Sequence, residues 1–496
     1  MKKLLLPVSL LSLTFALGCG SGPGINGIAP GSSSGNYSNA SLNGSYVYHL
    51  SGTDLSSGAS YDEAGIFIAD GSGHITGGVD DATEGTTASP GNVISSGTYS
   101  ISSSGTGTIN LTGTAFSSAT LVVTLVSTSK AYLVEGDALN ASGEAELQSS
   151  SAISAAPTGT YVFRMHTTSG QGSTATVGQF TVSAGIFQSG SADLNHAGVA
   201  SSPALTNFTL NAPIANGRGT GSLTENPGVV SSFNYYIVDA NHIRLLSTDT
   251  SSNIGGLGYA EMQTGGPFSA SSFAGNYVFA SEGDDNDGNN AVNTIGEFTA
   301  SGGTISSGAF DSVHDGTPIN DLAFTASTYM VASNGRVAAT FTSAAGTVDK
   351  VFWLASPSAA FFLTASDTSD SSLTEDGEAD LQTSTSFTNS SINGQFALVM
   401  HGTTASVFLD RVATLKWDGA GNLSLNEFVN DSGTTNSPGT LNGTYSAASN
   451  GRVTGTITSL STANNDLIFY MISGSDGFVL QEDSGTELMG RVTQQQ

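Results

Sequence analysis

The chain has 496 residues and a formal charge of −28, from 12 Lys and Arg against 40 Asp and Glu. So acidic a chain repels a phosphate backbone, which excludes nucleic acid as a partner. Only 10% of residues are charged while 38% are hydrophobic, and 63 are glycine; this disfavours a helix-rich enzyme and suits many short strands joined by tight turns.

Lys2 and Lys3 precede an apolar stretch from Leu4 to Leu17, shorter than the ~20 residues that span a bilayer. That is the layout of a secretory signal peptide over residues 1–18. Ala16-Leu17-Gly18-Cys19 ends it, and Cys19 is the only cysteine. These residues resemble the lipobox of bacterial lipoproteins, whose cysteine is lipid-modified and becomes the first mature residue. The resemblance implies lipidation at Cys19 and a membrane partner held through that anchor. Gly20, where the family places Asp for inner-membrane retention, implies the outer membrane or cell surface. A lone cysteine excludes a disulfide framework, a thiolate metal cluster and a CxxC redox centre. Residues 19–41 are rich in Gly, Ser and Asn and read as a flexible tether.

Four copies of one unit follow, expected at 42–149, 157–264, 273–383 and 392–496. Each opens on a glycine and an aromatic: Gly44-Ser45-Tyr46, Gly159-Thr160-Tyr161, Gly275-Asn276-Tyr277 and Gly394-Gln395-Phe396. Three close on Gly143 to Gln148, Gly258 to Gln263 and Gly377 to Gln382, and the fourth is expected to end loosely around Leu488 to Val492. Between these lie Gly77/Asp80, Gly190/Asp193 and Gly308/Asp311, then Asn216-Gly217-Arg218, Asn334-Gly335-Arg336 and Asn450-Gly451-Arg452, with Ser104-Gly105-Thr106 in the first copy. Units this long are domains, not solenoid rungs.

In the first copy, alternation predicts about eight strands, near 45–50, 62–70, 73–80, 96–103, 107–113, 119–128, 130–137 and 142–148. The Asn-Gly pairs predict two-residue type I′ hairpins. Short links make the strands an antiparallel meander. The expected fold class is all-β: four tandem antiparallel domains, each an up-and-down β-barrel, with a β-sandwich as the alternative. In strand number and meander alone the unit resembles the calycin-like group of avidins and lipocalins, and no binding residue carries over. The sixth strand is apolar on both faces, as in Leu121 to Val126, which suits a sandwich or a barrel packed on a neighbouring copy.

Candidate chemistry is sparse. Asp137, Asp249, Asp367 and Asp483 recur after the seventh strand, and Glu146, Glu261 and Asp380 recur in the closing strand. Paired carboxylates serve glycoside hydrolysis, but Asp is also a turn residue, and alternation points Glu144 and Glu146 at solvent. Asp285 and Asp287, in the acidic loop around Gly288, are candidate calcium ligands, although Gly283 and Thr294 break the EF-hand frame. His166 and His401 occupy equivalent positions without repeating partners.

The expected function is a lipid-anchored outer-membrane or surface protein, non-enzymatic, with a structural, adhesion or interaction role and no required cofactor. Its partner would be a surface protein or polysaccharide. One alternative is a small apolar ligand held inside each barrel near Tyr46, Tyr161, Tyr277 and Phe396. A second is a carbohydrate-active hydrolase.

Overall fold

The computed structural model describes residues 36–496 apart from 86, 116, 138, 170–171, 226–228, 250–254, 288–289, 326, 405–406 and 459–465. The signal segment, Cys19, most of the tether and Gly288 lie outside the described residues.

The first unit holds β1 (Asn43–Asp54), β2 (Ala59–Asp70), β3 (His74–Glu84), β4 (Thr87–Ile94), β5 (Ser96–Ile101), β6 (Thr106–Thr112), β7 (Ser118–Leu125), β8 (Lys130–Glu135) and β9 (Leu139–Leu147). Eight of them form a closed ring in the order β1-β9-β8-β7-β6-β5-β3-β2, with β2 returning to β1. The expected count misses β4. Its residues are exposed or half-buried except Ile94 and include Pro90 and Gly91, and it pairs with β3 outside the ring. The third and fourth units, Gly275–Leu381 and Asn393–Gln494, close in the same way. In the second unit, Gly159–Met262, strands Ile186–His196 and Leu205–Leu210 are joined by the isolated bridge Ser191–Ala204 and by Leu210 N–H donating to Gly185 O at 2.9 Å, without a continuous ladder among the described residues. The fold is all-β, with three closed eight-stranded barrels and one lacking a continuous closing ladder. Each unit forms one sheet, so the sandwich alternative does not hold.

The Asn-Gly turns differ from expectation. Ile214 N–H donates to Arg218 O at 2.8 Å and Gly217 N–H to Ile214 O at 2.9 Å, leaving three residues in the loop. Gly217 alone among them has positive φ, at +87°. This is a three-residue hairpin ending in a left-handed glycine, not a type I′ turn, which needs positive φ twice.

Each opening aromatic is a core residue, at most 2% exposed. Tyr46, Tyr161, Tyr277 and Phe396 stack on Phe67, Phe180, Phe298 and Trp417 with centroids 5.5 Å apart. The tyrosine hydroxyls reach carbonyls at the barrel end: Thr128 O, Ala240 O and Pro357 O. Burying rings this size supplies much of each core's apolar area.

The units follow one another along the chain but do not run out in a row. Val47, Ile66 and Val79 pack on Tyr236, Val238 and Leu246 of the second unit. Val162 and Val177 pack on Trp353 and Leu363 of the third. Val278 and Ile295 pack on Tyr470 and Phe478 of the fourth. Ala397 and Val412 of the fourth then pack on Val122 and Val134 of the first. The four barrels form a closed ring, which explains the doubly apolar sixth strand: one face fills its own barrel and the other forms a seam.

A glutamine repeats at every seam. Gln148 Nε2 donates to Ile237 O and Asn216 O at 2.7 and 3.0 Å. Gln263 reaches Leu354 O and Asn334 O, and Gln382 reaches Met471 O and Asn450 O. Gln495 completes the set on Leu125 O and Ser104 O at 2.6 and 3.1 Å. The fourth copy therefore ends like the others, at Gln495, and not loosely near Val492. The end of the expected tether is also part of the fold: Tyr37 is 5% exposed, and its hydroxyl donates to Val126 O and Gln496 O at 2.9 and 2.8 Å.

Candidate functional site

The recurrent Asp and Arg landmarks meet across the seams. Alternation sends Asp80 into the barrel and Asp81 outward. Asp81 receives the Arg218 guanidinium of the next unit and the Tyr236 hydroxyl. Asp193 receives Arg336 at 2.7 and 2.6 Å and Trp353 Nε1 at 2.9 Å. Asp311 receives Arg452 at 2.7 and 2.5 Å and Tyr470 at 2.7 Å. Planar two-point pairing of this kind suits Arg and not Lys. The closing seam has no such pair: Phe428 stands at the Asp position, opposite Val412, and Thr106 at the Arg position, opposite Thr124.

A second polar region lies between the units. Glu144 pairs with Lys130 at 2.5 Å, and Glu146 pairs with Arg244 of the second unit. Both side chains are 17% exposed, so they do not point to solvent as alternation within one unit suggests. The ring buries that face. Arg164 pairs with Asp376 at 3.3 Å, and Arg491 with Glu378 at 2.8 Å and Asp380 at 3.4 Å. Burial lifts Glu261 to about 7 and Asp380 to about 8, with Arg491 opposing the second shift.

The four carboxylates after the seventh strand do not converge, because each belongs to a different barrel. Asp367 accepts from Ser369 N–H at 2.7 Å, and Asp483 from Asp466 N–H at 3.1 Å and Gln481 Nε2 at 2.6 Å. Asp249 N–H meets Ser247 Oγ at 3.5 Å. Asp137 caps a turn through Leu139 N–H at 3.2 Å but also lines a cavity.

That cavity, of about 340 Å³, is the candidate site. It lies at the end of the first barrel where the turns after β1, β3, β6 and β8 gather, and its lining includes Asp54, Tyr61, Glu63, Thr114, Glu135 and Asp137. Glu63 and Glu135 are 2% and 1% exposed. Tyr48 bridges Glu63 and the neighbouring Asp80 at 2.8 and 3.0 Å, and Tyr61 also donates to Glu63. Burial holds Asp80 well above the ordinary carboxylate range, and Glu63 adds to the shift. Burial does the same to Glu135, reinforced by Glu63, Asp137 and Asp80. Among the described residues no Lys or Arg pairs with Glu63, Asp80 or Glu135: Lys130 is engaged by Glu144 and Arg218 by Asp81.

The other barrels treat these positions differently. Glu63, Asp80 and Glu135 correspond by strand register to Thr176, Ala192 and Ser247 in the second unit. In the third they are Thr294, Phe310 and Thr364. In the fourth they are Arg411, Glu427 and Gln481, and Arg411 meets Glu427 and Gln481 at 3.0 Å each. Sequence reading passed over Glu63 and Glu135 and took Asp80 as the recurrent landmark, whereas strand register makes Asp81 the equivalent of Asp193 and Asp311. The signal was three acids at inward positions of one copy only.

Asp285 gathers with His314 and Asp370, with donor atoms within 4.8 Å of one another. His314 lies 3.5 Å from Asp285 and 3.7 Å from Asp370. Asp287 is not in this group; its N–H donates to Asp285 at 3.1 Å. One imidazole with two carboxylates suits a transition-metal ion better than calcium. His166 pairs with Asp376 at 2.6 Å, and His401 with Glu282 at 2.5 Å.

No family model matches the chain, and no curated protein matches it. Among solved structures it is distantly similar to the vaccine antigen transferrin binding protein B from Haemophilus parasuis Hp5, in a double-mutant form. The identity is 11%, over 73% of this chain and 82% of that one, with a TM-score of 0.19. Isotype 1 transferrin binding protein B from serogroup B Neisseria meningitidis gives 8% identity, 74% and 83% coverage, and a TM-score of 0.19. Superpositions this loose leave the barrel assignment resting on the chain's own ladders.

Proposed function

We propose that the chain is an exported, lipid-anchored protein of the bacterial outer membrane or surface, and that it acts by binding and not by catalysis. The observation that supports this is how its cations are used. Nine of the ten Lys and Arg among the described residues form ion pairs, most of them in seams or barrel interiors; Lys416 is the exposed exception. The charged side chains left exposed among the described residues are therefore carboxylates, Asp70, Asp287, Asp315, Asp321, Asp418, Asp431 and Asp466, with Lys416 as the single cation, which favours a basic or amine-bearing partner. The recurrent carboxylates lie in separate barrels, which does not favour a shared hydrolytic pair. The core position of the opening aromatics does not favour an apolar ligand in every barrel. The test is radiolabelled palmitate incorporation with protease shaving of intact cells. Label lost in Cys19→Ser and shaving of the intact protein are expected; an unlabelled or fully protected protein would overturn the reading.

A further inference from the structure

Four barrels built on one plan carry different groups at the same inward positions, and only one combination leaves charge unbalanced. In the fourth, the Arg411 guanidinium sits between Glu427 and Gln481. In the third, Lys350 inside the barrel meets Glu375 at 2.6 Å and Thr364 at 2.9 Å. In the first, the acids are present and the cation is not. Two buried polar atoms face the same space without hydrogen-bond partners: Glu135 Oε2 and Thr114 Oγ1, on residues 1% and 7% exposed. A buried carboxylate oxygen left unpaired is costly, and here it borders a cavity of about 340 Å³.

We infer that the first barrel is a binding site for a small organic cation, an ammonium or guanidinium group entering between Glu63 and Glu135. The fourth barrel is its internal template, with Arg411 occupying from within the place a ligand takes in the first. Guanidinium fits because its planar donors can serve several carboxylate oxygens at once. A bare metal ion fits less well. Among the described residues, three donors come within 4.8 Å of one another only at Asp285, His314 and Asp370, so a cation must be extended to reach the barrel's acids. Thr114 Oγ1 supplies one further acceptor, and Asp54 and Glu84 line the cavity on the same side as the turns. The inference is independent of lipidation and cell location.

The experiment is calorimetric titration of the full chain with agmatine, with calcium chloride as a second probe. Saturable one-to-one agmatine binding is expected, tightening as pH rises because the ligand takes the ionised acids. Glu63→Gln and Glu135→Gln should each weaken it ~10-fold or more. The double variant Glu63→Arg/Glu135→Gln installs the fourth barrel's residues. It should fold with a melting temperature at or above that of the parent and show no binding, which separates loss of the site from loss of the fold. Absence of saturable agmatine binding would overturn the inference. So would equal affinity in the double variant, which would place the amine on the acidic exterior. Calcium binding tighter than agmatine and abolished by Glu135→Gln would also overturn it, in favour of a metal site.

Discussion

Replacing Asp311 with alanine removes the shared acceptor at the seam between the third and fourth units. Asp311 is 0% exposed in its side chain and its Arg452 partner 14%. The substitution strands a guanidinium that lost water on folding, and breaking a buried pair from one side costs about 3–5 kcal/mol. Tyr470, also 0% exposed, loses its acceptor at 2.7 Å, and Asp321 N–H loses one at 2.9 Å. An unsatisfied buried group costs about 1–3 kcal/mol, but these losses share one void, so the total expected is about 4 kcal/mol. Urea unfolding monitored by tryptophan fluorescence measures it. The double variant Asp311→Ala/Arg452→Met leaves no orphaned charge, and should cost less than the two single changes together by about 2 kcal/mol. His74→Ala is the control: that pair with Asp70 is solvent-exposed, so the midpoint should not move. A cost below about 1 kcal/mol for Asp311→Ala, or strict additivity in the double variant, would refute the clamp.

Glu135 tests the cavity through pH. Its pKa is raised in the folded state, first by burial, so the native protein holds a proton that the unfolded chain has released. Stability then declines as pH rises from the ordinary glutamate range through the raised value. Glu135→Gln should flatten that decline and raise the melting temperature more at about pH 8 than at about pH 5. Two histidines should titrate in opposite directions by NMR. Burial lowers His49 to about 3, so it should stay neutral throughout mildly acidic solution. Burial would also lower His401, but the Glu282 carboxylate outweighs it and lifts the pKa to about 9; His401→Gln should free Glu282, held near 2, to titrate closer to its usual range.

Much of the architecture is legible in the residues because a strand's pattern is local. Alternation at Tyr46, Tyr48 and Leu50 marks the barrel face directly, and the repeated glycines mark strand starts. The seams are less legible. Arg218 and Asp81 lie far apart in sequence, and only the ring brings them together; the recurrence of Arg218 was visible, but the recurrent acid was read as Asp80 instead of Asp81, and the pairing was not visible. Glu144 and Glu146 mislead for the same reason. A single barrel would expose them, and a neighbour supplies Arg244. The cavity was harder still, since its signal is a difference between copies. Repeat reading looks for what recurs, whereas Glu63, Asp80 and Glu135 matter because their counterparts are Thr, Ala, Phe and Ser in the second and third units, and Arg, Glu and Gln in the fourth, where the Arg balances the Glu.

The closing seam connects the ring to the cavity. It lacks the Arg–Asp clamp, yet replacing a buried ion pair with well-packed apolar groups is often neutral or better, and Val412 joins Val122 and Val134 there with Phe428 against them. Besides Gln495, one of its polar anchors is Asn430, 0% exposed, whose Nδ2 donates to Glu135 O and Leu139 O at 2.8 and 2.7 Å. Those carbonyls bracket the turn that carries Asp137, so a residue of the fourth unit braces the cavity wall of the first. Asn195 makes the equivalent pair of bonds to Thr364 O and Leu373 O, at 2.7 and 2.9 Å, in another seam. Asn430→Ala and Asn195→Ala should therefore cost similar stability, about 1–3 kcal/mol each. Only Asn430→Ala should also loosen the wall and weaken agmatine binding, by ~10-fold. Equal effects of the two variants on affinity would mean that binding reports general stability, and the link between ring closure and the cavity would fail.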